Sequence, residues 1–160
     1  MSAAAEQRDL DVRVVLPDET DTDAFGGRLA PVLAAGDVVA LWGGLGAGKT
    51  ALARAIIQAR ARRAVTVPSP TFTLMQSYAL DGVTLWHCDF FRLGAPEETH
   101  ELGLDEIFAD AIALIEWPDR LGPMLPAGRL DVRLDFQGDG RTARMTGGPD
   151  WARRLEGVFP

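Results

Sequence analysis

The chain has one cysteine, two histidines and a single lysine among its 160 residues. A lone cysteine, Cys88, excludes an internal disulfide, and one thiol with two imidazoles argues against a structural zinc site. Cys88 reads instead as a strand residue. No apolar run reaches bilayer-spanning length, and the N-terminal MSAAAEQRDLDVR lacks the charged-then-apolar order of a secretory signal, so a cytoplasmic protein without membrane contact is expected. The formal net charge of −7 speaks against a broad surface that grips nucleic acid by neutralising phosphates. Arg60, Arg62 and Arg63 cluster, and read as a solvated helix end.

Against this background one stretch stands out. Gly43 to Thr50 reads GGLGAGKT and fits G-x-x-x-x-G-K-[ST], and its lysine, Lys49, is the only one in the chain. The flanks agree with the motif: Val38 to Trp42 is a short apolar run of buried-strand type, and Ala51 to Ala61 carries Leu52, Ala55, Ile56 and Ala59 at helical spacing. Glycines let backbone N–H groups close around an anion, and the following helix points its positive end at the same place. The pattern predicts phosphate contacts from the loop, Lys49 on the β- and γ-phosphates and the Thr50 hydroxyl on Mg²⁺. A guanine-specific N/T-K-x-D motif needs a second lysine, so ATP is the expected nucleotide.

The remaining pattern is that of one α/β domain spanning residues 1–160, a length suited to one normal core. Val12 to Leu16 reads as a strand and Asp21 to Ala35 as a helix containing Pro31. Ala64 to Val67 reads as a short strand ended by Pro68-Ser69-Pro70. Phe72 to Ala79 and Val83 to Cys88 form a predicted hairpin across Asp81-Gly82. Pro96-Glu97-Glu98 opens a helical stretch, Ala111 to Ile115 is a buried strand, and Leu130 to Phe136 alternates cleanly before a turn and a returning strand, Arg141 to Thr146. A short amphipathic tail follows Gly147-Gly148-Pro149. The sum predicts a three-layer P-loop NTPase-type α/β domain with a mixed, mainly parallel central sheet.

Such a site needs an acid at the end of a second strand to hold Mg²⁺. Two apolar runs end in one: Leu85 to Asp89 and Ala111 to Glu116. The second is the cleaner strand, with five consecutive apolar residues that imply burial on both faces beside the loop strand, so Glu116 is the expected metal residue. Asp89 is expected to orient the attacking water or to pair with Arg92.

Four segments together, GGLGAGKT, VPSPTFTL (Val67 to Leu74), WHCDFFRL (Trp86 to Leu93) and LIEWP (Leu114 to Pro118), resemble the ordered motifs of the TsaE (YjeE) family of bacterial P-loop ATPases, and the similarity runs from about Leu16 to the final hairpin. The resemblance implies a Mg²⁺-dependent ATPase that works with the proteins TsaB and TsaD in making tRNA threonylcarbamoyladenosine, meeting tRNA only through that complex. Residue by residue it implies phosphate contacts from Leu45, Gly46, Ala47, Gly48, Lys49 and Thr50, and Mg²⁺ ligation by Thr50 and Glu116. Lys49, Asp89 and Glu116 are implied to be catalytic. Ser69, Thr71 and Thr73 fall in a switch-like segment near the γ-phosphate, and Glu19, Trp117 and Arg141 border the nucleotide. The chain departs from the family at Gly44, where an acidic residue is usual, and at Ala51, where a polar one is common. Two rival readings share the loop. A small-molecule kinase would use Arg120 and Arg129, which flank a Gly/Pro-rich segment, on a lid. A nucleotide-dependent interaction module would not hydrolyse ATP at all.

Overall fold

The structure is a computed structural model that describes residues 8–63, 65–70 and 73–160. Seven strands form one sheet: β1 (Leu10–Leu16), β2 (Val38–Trp42), β3 (Met75–Leu80), β4 (Val83–Asp89), β5 (Ile112–Glu116), β6 (Leu130–Gln137) and β7 (Gly140–Gly147), in the order β1-β7-β6-β2-β5-β4-β3. The helices are α1 (Glu19–Leu29), α2 (Lys49–Ala61), α3 (Leu104–Asp110) and α4 (Pro149–Arg154). Among the described residues no helix is long and apolar enough to cross a membrane.

The two most apolar strands lie at the centre. β2 pairs in parallel with β5 on one side and β6 on the other, and β5 pairs in parallel with β4. The flanks are antiparallel: β3 with β4, β6 with β7, and β1 with β7. The sheet is mixed, as expected, but parallel across its four central strands only, so the expectation that it is mainly parallel is corrected. One antiparallel pair is β1 added at the edge beside β7, and the other two are hairpins. At one of them Asp81 and Gly82 have φ of 47° and 80°, the positive pair that a two-residue turn of matching twist requires, and Leu80 meets Val83 across it.

Side-chain alternation divides the core between the two faces of the sheet. Ile112 and Leu114 join Val39, Leu41 and the apolar residues of α1 and α2, while Ala113 and Ile115 join Val38 and Leu104 and Ile107 of α3. α1 and α2 lie so close that a Cβ on Gly26 would stand 2.6 Å from the Ala55 Cβ. This fixes the helix that follows the loop.

Three elements differ from the sequence expectation. The helix expected from Asp21 to Ala35 begins earlier, where Asp18 and Asp21 form a capping box, and gives way to a 3₁₀ turn at Ala30–Val32 because Pro31 cannot continue an α-helical ladder. The described part of the expected strand Ala64 to Val67 pairs with no neighbour, and Ala64 lies outside the described residues. Its carbonyls accept side-chain donors of α2 instead: Gln58 Nε2 donates to Val65 and Arg54 Nε to Val67. The stretch from Pro96 is a 3₁₀ helix to Leu102, and Gly103, at φ 70°, separates it from α3.

Candidate functional site

The loop from Gly43 to Gly48 joins β2 to α2. Gly43, Gly46 and Gly48 have φ of 150°, 74° and 105°, conformations that side chains resist, and a Cβ at Gly43 would sit 2.7 Å from the Leu134 carbonyl oxygen. Gly44 meets nothing within 4 Å, so a larger side chain would find room there. Lys49 is the first residue of α2 and only 5% exposed. Its ammonium donates to the carbonyls of Gly43 at 2.6 Å and Gly44 at 2.8 Å, and lies 4.1 Å from the Trp117 ring centroid. Burial lowers its pKa, while the charges of Glu116, Asp89 and Asp119 act in the opposite direction.

Parallel pairing sets Glu116 beside this loop, because the register aligns it with Leu41 near the end of β2. The Thr50 hydroxyl donates to its carboxylate at 2.8 and 3.0 Å. On its other side His87, fully buried in β4, donates from Nε2 to Glu116 Oε2 at 2.6 Å. Asp89 closes β4 directly alongside Glu116 and accepts from the Phe91 N–H at 3.0 Å. Two buried carboxylates, one lysine and one helix N-terminus therefore share one end of the central strands.

Between them lies a cleft of about 360 Å³ lined by Leu45 to Ala51 and by Ser69, Asp89, Phe91, Glu116 and Trp117. It gathers Leu45, Gly46, Ala47, Gly48, Lys49, Thr50, Asp89, Glu116 and Trp117 from the expected site. Trp117 holds a left-handed conformation, φ 57° and ψ 53°, and its ring lies 4.9 Å from that of Phe91. Such strain in a bulky residue is characteristic of functional sites. Ser69 also lines the cleft, whereas Thr73 and Glu19 are exposed and absent from the lining. Thr71 lies outside the described residues. Arg141 is not in the lining either; it grips the loop backbone, with Nε donating to the Ala47 carbonyl at 3.1 Å and Nη2 to that of Gly46 at 3.0 Å.

Two residues of the site escaped sequence reasoning. His87 looks like one polar interruption of an apolar strand, although strand alternation puts it on the same face as Asp89, two residues on. Phe91 was read only as part of the WHCDFFRL segment, with no role of its own. Of the two arginines a lid would use, Arg129 is held by Asp131 at 2.8 Å and the Pro126 carbonyl at 3.0 Å, and Arg120 lies 5.9 Å from the Phe91 ring at the cleft edge.

The donor set suits Mg²⁺ better than a metal that demands a full protein cage. A hydroxyl and a carboxylate are hard oxygen ligands, and Mg²⁺ takes its remaining oxygens from phosphates and water. Among the described residues no group of three or more His, Cys, Asp or Glu could hold a metal by itself.

Fold and site define the class first: an α/β protein with a glycine-rich strand–loop–helix and, beside it, a threonine–carboxylate pair reached across parallel strands. The family model described as Threonylcarbamoyl adenosine biosynthesis protein TsaE matches residues 16–145. The tRNA threonylcarbamoyladenosine biosynthesis protein TsaE of Rickettsia bellii is 37% identical over 130 residues, covering 81% of this chain and 90% of its own. That of Haemophilus influenzae is 33% identical over 150 residues, covering 90% and 94%. The crystal structure of YdiB from Bacillus subtilis superposes with a TM-score of 0.79 at 27% identity over 94% of this chain and 95% of that one. The chain belongs to the TsaE family of tRNA threonylcarbamoyladenosine biosynthesis.

Proposed function

We propose that this chain is a Mg²⁺-dependent ATPase of P-loop, three-layer type that serves the cytoplasmic machinery for tRNA N6-threonylcarbamoyladenosine by acting on a complex of TsaB and TsaD. The observation that carries the reading is the Thr50 hydroxyl bonded to the Glu116 carboxylate at 2.8 Å beside a buried Lys49. The Lys49 ammonium donates to two neutral backbone carbonyls of its own loop, and phosphate oxygens are stronger acceptors for a cation. When bound, Mg²⁺ neutralises phosphate charge and fixes phosphate geometry.

The chain's own residues supply the rest. The loop N–H groups and the α2 N-terminus bind the phosphates, Thr50 and Glu116 face the metal position, and His87 fixes the Glu116 carboxylate from behind. Asp89, aligned with Glu116 on the next strand, is the proposed acceptor of a hydrogen bond from an attacking water. Family membership supports the tRNA-modification role, and the acidic balance suits a protein that meets tRNA through partners. Phosphate release from ATP with Mg²⁺, measured with and without TsaB and TsaD, tests the reading. Release stimulated by the complex is the expected result; transfer only to a small-molecule acceptor identifies a kinase, and no hydrolysis under any condition leaves a nucleotide-dependent interaction module.

A further inference from the structure

Side-chain parity sends Val132, Leu134, Ala143 and Met145 into the core shared with α1 and α2, so the residues between them on β6 and β7 point to the opposite face of the sheet. On that face Leu104 and Ile107 of α3 pack with Cys88, Ala113 and Ile115, which covers β4 and β5. The same face is left to water at β6, β7 and β1. Asp11, Arg13, Arg133, Asp135 and Arg144 are all exposed there.

An antiparallel sheet tolerates a polar, solvated face, but a solvated face has no need of the register found here. Arg133 is aligned with Arg144 and Arg144 with Arg13, so three arginines stand in one row across three strands, and Trp42 heads the row as the β2 partner of Arg133. Like charges directly opposite one another destabilise a sheet. Asp11 relieves one of them, accepting from Arg144 Nε at 2.9 Å and Nη2 at 2.8 Å. Asp131 fixes the other end: one of its oxygens accepts from Trp42 Nε1 at 2.7 Å and from Arg129 Nε at 2.8 Å. Arg133 meets no carboxylate among the described residues and lies 5.4 Å from the centroid of the Trp42 ring. These side chains, with Thr146, line a cleft of about 270 Å³ that shares no residue with the cleft beside the glycine loop.

We infer that this face docks an acidic helix of a protein partner, with one carboxylate of that helix taken by Arg133 beside the Trp42 ring. The spacings agree. Neighbouring strands lie about 4.8 Å apart, and side chains three or four residues apart on a helix lie about 5–6 Å apart, so a helix laid across the strands sets one acid against each arginine of the row. The position agrees as well, because helices bury both faces of an α/β sheet and this half lacks a helix on one of them. Tryptophan and arginine are also the side chains that most often carry the binding energy of protein interfaces. A nucleic-acid backbone fits less well. Asp11, Asp131 and Asp135 stand on either side of the row, and they repel a continuous polyanion wherever it leaves the arginines, whereas an amphipathic helix confines its charge to one stripe.

Fluorescence anisotropy with a labelled peptide tests this, the probe being an alanine-rich helix of about four turns with glutamates three or four residues apart along one stripe. The full chain should bind it, with an affinity that falls as NaCl rises. Arg133→Ala and Arg13→Ala are each expected to weaken binding several-fold and Arg133→Glu about tenfold or more, while Arg153→Ala, an exposed arginine of α4 on the far side of the sheet, changes nothing. Because Arg133 and Arg13 are exposed and their removal relieves like-charge repulsion, both variants should melt no lower than the wild type; if one does, the other carries the comparison. No binding by the wild-type chain, an equal loss in Arg153→Ala, or equal affinity for a peptide with the same glutamates scattered around the helix overturns the docking face. Tighter, Arg133-dependent binding of a single-stranded oligonucleotide of the same charge overturns it in favour of nucleic acid. No nucleotide is present in any of these measurements, so their outcome is independent of the phosphate-loop reading.

Discussion

Glu116 takes hydrogen bonds from two side chains carried by different elements, Thr50 on α2 and His87 on β4, and the pair makes its removal costly in two ways. Glu116→Ala leaves a buried imidazole N–H without an acceptor, a penalty of about 1–3 kcal/mol, and it should also raise the Mg²⁺ concentration needed for nucleotide binding. Glu116→Gln keeps an oxygen for the two donors but loses the charge. It should therefore recover most of the melting temperature and little of the Mg²⁺ response; a Mg²⁺ titration beside a thermal melt separates the two. Asp89→Ala is expected to slow hydrolysis of bound ATP with the metal requirement little changed, and the opposite result would exchange the two roles. Lys49→Ala removes the only lysine, so ADP affinity should disappear while the fold persists, and retained affinity would refute the loop assignment. Much of this site was legible because motif residues carry their chemistry in fixed spacing, and Lys49, Thr50 and Glu116 do line one cleft. His87 was not, since one histidine in an apolar run reads equally well as a satisfied core residue. Cys88, its neighbour, illustrates the bland case. It is fully buried, burial pushes its thiol pKa up, and it should resist alkylation until the chain is unfolded.

Strands and hairpins were read from the sequence where local physics decides them, and missed where partners do. Asp81-Gly82 and the alternation of Leu130 to Phe136 specify their hairpins from within, and the structure has both. Which strands pair across the sheet is a long-range outcome. β1 pairs with the last strand, β7, and that contact has no trace in either segment alone. Val65 to Val67 has strand composition yet no ladder, because Gln58 and Arg54 of α2 take its carbonyls. The contact between α1 and α2 is equally hidden, since Gly26 reads as a weak helix residue until Ala55 is seen against it. In an isolated helix Gly→Ala stabilises by about 1 kcal/mol. Here the new methyl would lie 2.6 Å from the Ala55 Cβ and near its backbone, so Gly26→Ala should destabilise by about 1–3 kcal/mol instead. Chemical denaturation will show the sign. A stabilised variant would mean that the two helices separate freely.

At the scale of the whole molecule, the cleft beside the glycine loop is also lined by Ser69, from the segment between α2 and β3. Ser69 lines the cleft together with Asp89 and Trp117, and the chain there contains two prolines, Pro68 and Pro70, before β3 begins at Met75. Under the proposed function the Ser69 hydroxyl is the candidate contact for a γ-phosphate that ATP has and ADP lacks, and a surface built on it would then differ between the two states. A nucleotide shifts an equilibrium only by its differential affinity for the two states. A tenfold preference of a partner for one state needs about 1.4 kcal/mol, which one or two charge-assisted hydrogen bonds supply. Under the proposed function the partner is TsaB–TsaD, and its affinity for this chain should differ at least several-fold between ADP and a non-hydrolysable ATP analogue. Ser69→Ala, Thr71→Ala or Thr73→Ala should narrow that difference without abolishing nucleotide binding, because the loop and Lys49 hold the remaining phosphates. Surface-immobilised TsaB–TsaD, with each nucleotide present in excess, gives the comparison directly. Equal affinity in both states would reject a switch and leave ATP with a structural role in the assembly; a difference that survives all three substitutions would move the sensing to Trp117 and Phe91, which line the same cleft.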